Sequence, residues 1–290
     1  MRYRVTHSTT YAYASPVSMC HNEVRLTPRL TRGQVPLRTQ LLVDPAPATL
    51  ATHLDYFGNT VTFLTIPGTH DDLTITAMSD VDVTPLPTPT PETSPGWEQV
   101  RECLRAERKP ETLDAYQFVF ASPHVVADDA VAAYAEPSFP PERPLLAAVL
   151  DLTHRIHVDF AYEPDTTTVA TSVAEVLAAR RGVCQDFAHL AIACLRAQGL
   201  AARYVSGYLE TLPAPGAERL RGQDASHAWI GVFCPDLGWI DIDPTNDQVV
   251  GGRHVTLAWG RDYGDVSPVK GVIVGGGVHT VDVAVDVEAG

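Results

Sequence analysis

The sequence contains few cysteines and no long apolar run, and both shortages restrict the class of protein. No stretch of its 290 residues approaches the ~18 consecutive apolar residues of a membrane-spanning helix. The 5 cysteines are an odd number without repeated spacing, which indicates free thiols in a reducing compartment. The first residues lack the apolar segment of a secretory signal. We therefore expect a cytoplasmic protein.

Positive charge is also scarce. The chain has 21 Lys and Arg residues against 35 Asp and Glu residues, a formal net charge of -14. This balance argues against a nucleic acid or an anionic membrane as partner and favours neutral or cationic substrates. The length suits two modest domains, and the hydrophobic content of 45% does not suggest disorder.

Proline divides the chain into two parts. Residues 1–87 alternate apolar and polar side chains in short segments between turn residues, which predicts an N-terminal β-sandwich. Residues 88–95 continue a run with proline at every second position, so they predict an extended linker. Helical periodicity and later strands predict that residues 96–290 form an α+β domain, in which a helix packs on an antiparallel sheet.

A cysteine follows a glycine between two predicted helices. The first helix begins with Ser172 and Glu175 as a capping box and ends at Gly182, and the second begins at Cys184. The second helix carries apolar residues at helical spacing, namely Phe187, Leu190, Ala191, Cys194 and Leu195. Cys184 therefore lies in the first turn and points inward. Unpaired amides and the helix dipole favour a thiolate and a developing oxyanion there.

Two later segments supply the other groups of an activated thiol. His227 lies at the start of one predicted strand, and residues 239–246 contain the next, with a turn at residues 235–238 between them. This hairpin brings His227 near the polar residues that follow Ile242, as a nucleophile, base and orienting group require.

The identity of the orienting group depends on the register of the hairpin. A regular register around the turn would place Asp243 opposite Ile230 and Asn246 opposite His227. A bulge or a longer loop would bring Asp243 to the histidine instead. We retain Asp243, with Asn246 and Asp241 as alternates.

Three ordered motifs, GVCQDF, SHAW and GWIDIDPT, resemble the transglutaminase-like superfamily in its bacterial two-domain branch. The resemblance implies a papain-like catalytic domain behind an N-terminal β module. It also implies that Cys184 is the nucleophile, His227 the general base and acid, and Asp243 the residue that orients the histidine. The implied reaction is acyl transfer through a thioester, ending in hydrolysis or transamidation.

The resemblance extends to partners and substrates. Relatives act on peptides or small amides, and an ATP-grasp-type ligase is an expected partner. We expect no cofactor, and the sequence has no Asp/Asn-rich loop with calcium-binding spacing.

Three residues are candidates for substrate binding. Gln185 follows the nucleophile as a second oxyanion donor, Trp229 would wall an acceptor channel with Trp239, and Tyr162 belongs to a stretch that resembles the acyl-donor cleft. Residues 212–223 have the length and the Pro and Gly content of a substrate lid.

Other interpretations of these residues are weaker. A metal site could draw on Cys184, His189, Cys194, His227 and Cys234. However, Cys184 and His189 are five residues apart and point to different sides of the helix, and no close cysteine pair occurs. A catalytically silent binding module is the main alternative to an enzyme. We interpret His7, His21 and Arg29 of the N-terminal region as structural or surface residues.

Overall fold

The computed structural model describes residues 1–211 and 226–290. Its architecture is two antiparallel sheets with helices packed mainly around the second one, which confirms the predicted α+β class. The predicted lid at residues 212–223 lies outside the described residues. In the described part of the chain, no helix is long and apolar enough to cross a membrane.

The N-terminal sheet is built on two long strands, β1 (Arg2–Val24) and β4 (Thr60–Val83), which pair antiparallel along most of their lengths. On β4 the sheet also carries β2 (Gln34–Asp44) and β3 (Thr49–Leu54). Inward residues of β1 and β4 alternate with outward ones, as the sequence pattern predicts. The strands that we predicted as a sandwich are hydrogen-bonded as one six-stranded sheet.

The last two strands of the chain also belong to this sheet. β12 (Val269–Gly275) pairs with the second half of β1, and β13 (His279–Ala289) pairs with the first half. This differs from the predicted catalytic domain of residues 96–290, because the chain returns to the N-terminal sheet after residue 268. A strand's own pattern cannot show which sheet it will join, since hydrogen-bonding partners are set by the tertiary fold.

The second sheet has the strand order β10-β9-β8-β7-β11. Its strands are β7 (Ala202–Leu209), β8 (Ser226–Cys234), β9 (Gly238–Asp243), β10 (Gln248–Val249) and β11 (His254–Gly260). β7, β8 and β11 are buried along most of their lengths, because the sheet is covered on both faces. A short parallel pair, β5 (Ala161–Tyr162) with β6 (Arg181–Gly182), lies before the central helix.

Helices surround this second sheet. They are α1 (Trp97–Ala106), α2 (Pro110–Tyr116), α3 (Asp129–Ala135), α4 (Leu145–Asp159), α5 (Val173–Ala179), α6 (Cys184–Ala197) and α7 (Tyr263–Val266). Helix α6 packs against β7 and β8 and is also covered by α3, α4 and α5. All of its residues from Asp186 to Arg196 are buried. A helix buried on all sides holds its first residue at a fixed place, and that residue is Cys184.

Candidate active site

The start of helix α6 is held by Asp186. One carboxylate oxygen, Oδ2, accepts hydrogen bonds from the backbone N–H of Val183 at 2.8 Å and from Oγ1 of Thr167 at 2.7 Å. A Cβ atom at Gly182 would lie 2.7 Å from that same oxygen, so glycine is required where the carboxylate packs. Burial raises the pKa of Asp186. Asp186 was missed as a site residue, although an acidic side chain at the third helical position is a capping signal.

Cys184 and His227 are brought together, as the motifs predict. The Cys184 thiol is hydrogen-bonded to the imidazole of His227. Burial, and then the negative charge of Cys184, raise the pKa of Tyr162 and Tyr204. His227 belongs to β8, the strand next to β7, and its side chain is 11% exposed. The thiol therefore lies at a helix N-terminus beside a nearly buried imidazole.

Asp243 holds the far side of this imidazole. Its Oδ2 atom lies 2.8 Å from His227 Nε2, and its side chain is fully buried. Oδ1 accepts from the backbone N–H groups of Thr245, at 2.9 Å, and Asn246, at 3.2 Å. Since Nε2 of His227 faces Asp243, Nδ1 is the ring nitrogen left to interact with Cys184.

The hairpin register explains why Asp243 reaches the histidine. Cys234 pairs with Gly238 and Ile230 pairs with Ile242, so the loop is one residue longer than the regular turn at residues 235–238. A shift by one residue moves a side chain to the other face of a sheet. In this register Asp243 shares a face with His227, whereas pairing opposite Ile230 would have turned it away.

Of the two alternates, Asn246 supports Asp243, and Asp241 belongs elsewhere. The Asn246 side chain donates to Asp243 Oδ2 at 2.7 Å and lies 3.3 Å from His227 Nε2. Asp241 instead pairs with Arg203 at 3.3 Å and accepts from the indole of Trp229 at 3.4 Å.

The charges of the pair are strongly coupled. Burial lowers the pKa of His227, but hydrogen bonds and attraction to Asp243 and Cys184 more than offset this effect and raise the pKa to about 10. Burial favours the neutral form of Asp243. Hydrogen bonds from His227, His254 and Asn246, with the charge of His227, nevertheless hold the pKa of Asp243 well below its usual value. The pair is therefore an imidazolium and a carboxylate at neutral pH.

His254 is a second histidine at the site, and the sequence analysis did not identify it. Its Nε2 atom lies 3.3 Å from the same oxygen, Asp243 Oδ2. No local motif singles out His254, because it reaches the aspartate from β11, at the other end of the sheet from β9.

The candidate substrate-binding residues have different surroundings. Tyr162 is 53% exposed, next to the ring of Phe187 at the start of the nucleophile helix. Gln185 is partly buried in the first turn of α6. Trp229 is fully buried, so it does not wall an open channel. Trp239 stacks with Arg203 and lines a cavity of about 970 Å³ between the N-terminal sheet, the linker and the second sheet.

The metal interpretation based on Cys184, His189 and Cys194 is not supported by the arrangement. His189 is buried and accepts the backbone N–H of Tyr263 at 3.1 Å, so its ring is satisfied within the fold. Within residues 1–211 and 226–290, the group whose ligand atoms lie within 4.8 Å of one another is His227, Asp243 and His254. Both histidines hydrogen-bond to the Asp243 carboxylate, and this explains the proximity of the three side chains without an ion.

Comparisons with known proteins match both parts of the chain. The model of the bacterial transglutaminase-like N-terminal region matches residues 3–82, and that of the transglutaminase-like superfamily matches residues 132–244. An uncharacterized protein of Mycobacterium tuberculosis is 47% identical over 99% of this chain and 92% of its own length. A protein-glutamine gamma-glutamyltransferase of Pseudomonas aeruginosa is 36% identical over 48% of this chain but only 21% of its own length.

A solved structure shows the same fold. A protein from Cytophaga hutchinsonii, provisionally named a cysteine protease, superposes with a TM-score of 0.77 over 99% of this chain and 90% of its own, at 21% identity. The predicted papain-like core is thus confirmed, with the N-terminal antiparallel sheet beside it. By these matches and the order of its motifs, the chain belongs to the transglutaminase-like superfamily.

Proposed function

We propose that this chain is a cysteine-dependent acyl-transfer enzyme that acts on amide or peptide bonds. Cys184 is the nucleophile, His227 the proton carrier and Asp243 the orienting group. The observation that carries this proposal is the buried pair His227 and Asp243, at 2.8 Å, beside a thiol in the first turn of a helix. Such a thiol has the surroundings that activate cysteine nucleophiles.

The reaction follows from the charges of these groups. The Cys184 thiolate attacks the carbonyl carbon, and the carbonyl oxygen becomes an oxyanion for which the Cys184 N–H, in the first turn of α6, is our candidate donor. When the C–N bond breaks, the imidazolium of His227 gives its proton to the leaving amine, and a thioester remains on Cys184. Neutral His227 then takes a proton from the second substrate, which attacks the thioester and restores the thiolate.

We propose water as the second substrate, so that the products are a carboxylate and an amine. Because Trp229 is fully buried, the indole expected to wall a dry acceptor channel is not available for that role. At a thioester that is open to water, water outcompetes an amine by concentration. Transamidation is the second candidate, and the name of the P. aeruginosa relative favours it. Tyr162, exposed beside Cys184, is our candidate for contact with the acyl donor.

We further propose a cytoplasmic enzyme with a peptide or small amide as substrate. The five cysteines are free thiols, which supports a reducing compartment. An ATP-grasp-type ligase stays a proposed partner on family resemblance alone. Co-purification from the native host with this protein as bait would test that partnership.

The first experiment measures the pH dependence of Cys184 alkylation by mass spectrometry, in wild type and in His227→Ala. We expect rapid labelling to persist below pH 7 in wild type and to require His227. Labelling that follows an ordinary thiol with a pKa near ~8.5 in both proteins would favour the catalytically silent binding module. Trapping a thioester from a panel of peptide amides, followed by chase with water or an amine, then distinguishes hydrolysis from transamidation.

A further inference from the structure

His254 contacts Asp243 of the proposed triad. It is buried at 4% exposure in the first position of β11. Its Nδ1 atom accepts the backbone N–H of Gly251 at 3.4 Å. A backbone amide can only donate, so Nδ1 carries no proton and the ring proton is on Nε2. Nε2 of His254 therefore donates to Asp243 Oδ2 at 3.3 Å.

The carboxylate of Asp243 is enclosed by donors. Oδ2 faces three side-chain nitrogens, one each from His227, Asn246 and His254, while Oδ1 is held by two backbone amides. The indole of Trp229 stacks edge-on against His254 at 5.2 Å and lies 6.0 Å from His227. With Trp229 packed against both histidines and donors on both oxygens, the carboxylate has one favoured orientation. His254 supplies one of the three side-chain donors to Oδ2.

The strand that carries His254 is held by the N-terminal sheet. β11 is an edge strand, so its outer backbone groups need partners from outside the sheet. The Gln34 amide provides them two residues from His254. Its oxygen accepts the N–H of Thr256, and its nitrogen donates to the C=O of Thr256, each at 2.8 Å. Asn59 does the same for Trp259, with both distances 2.9 Å.

We propose that His254 is a positioning residue for Asp243, and that the N-terminal sheet acts on the triad by holding β11 through Gln34. The inference rests on the proposed function, since it assigns Asp243 as the orienting group. It gives the N-terminal sheet a direct role in the chemistry, along the path Gln34, β11, His254, Asp243 and His227. Truncation of this sheet would then remove activity even if the second sheet survived.

The test of His254 compares two substitutions in the full chain. His254→Leu keeps volume but removes the donor, whereas His254→Gln keeps an N–H that can reach Asp243. We expect Leu to slow Cys184 alkylation at neutral pH about tenfold, the effect of one lost hydrogen bond to a charged group. We also expect it to broaden or shift the downfield NMR signal of the His227 Nε2 proton. Gln should restore both toward wild type.

A double variant separates positioning from simple stability. If His254 acts through Asp243, adding His254→Leu to Asp243→Asn should not slow alkylation further. Urea unfolding verifies that each variant is folded. An unchanged His227 signal and alkylation rate in folded His254→Leu, equal behaviour of Leu and Gln, or additive losses in the double variant would each overturn the assignment.

The role of the N-terminal sheet is tested with a matched pair on β2. Gln34→Leu removes the buried contacts with Thr256, whereas Gln40→Leu changes an exposed residue of the same strand. We expect Gln34→Leu to slow alkylation about threefold and to shift the His254 Nε2 proton signal, a partial loss of the hydrogen-bond effect. Gln40→Leu should do neither. An unshifted signal in folded Gln34→Leu would refute this part.

The NMR signals do not depend on turnover, so the two proposals can fail separately. If wild-type Cys184 proves unreactive but His254→Leu still alters the His227 signal, the positioning role stands and the enzymatic function falls. If Cys184 is reactive and the His227 signal is unchanged in His254→Leu, the enzymatic function stands and the positioning role falls.

Discussion

His7 in the N-terminal sheet and His227 in the second sheet are both shielded from solvent, but their pKa values move in opposite directions. His7, in the N-terminal sheet, is 1% exposed and is hydrogen-bonded to the hydroxyl groups of Thr9 and Tyr208, each at 3.0 Å. Burial lowers the pKa of His7 to about 4. In the second sheet, Asp243 and Cys184 overcome burial and raise the pKa of His227 to about 10.

The neighbouring charge, rather than burial, therefore determines which of the two histidines is protonated at neutral pH. A neutral buried imidazole ties two parts of the fold together, as His7 does through Tyr208. An imidazolium next to a buried carboxylate can stabilise a thiolate and later release a proton. The predictions below change one side of this comparison at a time.

Removing the carboxylate should have a very large effect, although the nucleophile itself stays in place. In Asp243→Asn, His227 loses its anionic partner, so its pKa should fall toward that of His7, and thioester formation should slow about ten-thousandfold. Single-turnover acylation at pH 7 measures the loss. The control is Asp241→Asn, which changes the other acidic residue of β9. Equal losses in the two variants would mean that Asp243 has no special role.

Removing the imidazole should change stability in a defined pH window. The fold raises the pKa of His227 above the usual histidine value of 6.5. The stability that protonated His227 gives to the fold is therefore complete below pH 6.5 and is lost as pH rises through about 10. Because the pKa of Asp243 is lowered, its contribution is lost as pH falls below 3.8.

His227→Ala should therefore lower the free energy of unfolding by about 3 kcal/mol between about pH 4 and 6.5, and by less toward pH 10. Urea unfolding across this range checks it, with the exposed His53→Ala as control. A difference that grows toward pH 10 would contradict the charge assignment.

The two cysteines of helix α6 differ in the same way: Cys194 is surrounded by the core, whereas Cys184 is hydrogen-bonded to His227. Cys194 is fully buried, and burial raises its pKa to about 12. Cys194→Ala should therefore lower the free energy of unfolding by about 1–2 kcal/mol, through the lost packing, while thioester formation per folded molecule stays unchanged. Cys184→Ala should fold normally and form no thioester. Comparable losses of activity in both would defeat the assignment of Cys184.

The smallest effect should come from placing a carboxylate next to His7, as Asp243 lies next to His227. Thr9→Asp places a carboxylate beside His7 Nε2, and an opposite charge at that distance raises a histidine pKa by about 1–3 units. NMR titration of the His7 ring measures the shift. Alkylation of Cys184 should not change. A His7 pKa that stays near 4 would show that burial outweighs a neighbouring carboxylate at this site.

Much of the fold was predictable, because it depends on local pattern. The capping residues Ser172 and Glu175 and the apolar stripe placed the starts of helices α5 and α6 correctly, including the start at Cys184, but α5 ends at Ala179 and not at Gly182 as predicted. The alternation in β1 and β4 likewise gave their inward faces. The membership of β12 and β13 in the N-terminal sheet was not predictable, since an alternating strand can pair with any free edge.

The candidate site divides in the same way. Cys184, His227 and Asp243 were identified from three motifs, but the choice between Asp243 and Asn246 needed the register, which one extra loop residue decides. Trp229 was predicted to line a channel, but it is fully buried. Its strand is covered on both faces of the sheet, so an alternating sequence pattern does not show which of its side chains are buried.

By itself, the sequence determined the nucleophile helix, the order of the three proposed catalytic residues and the family. These features are encoded within short windows, where spacing and capping act over a few residues. Only the tertiary structure decided that His254 donates to Asp243 and that Gln34 holds its strand. Those contacts join residues 11 and 222 positions apart, and nothing in either local segment specifies the partner. Long-range hydrogen bonds follow from how whole sheets pack, and that packing is set by the complete chain.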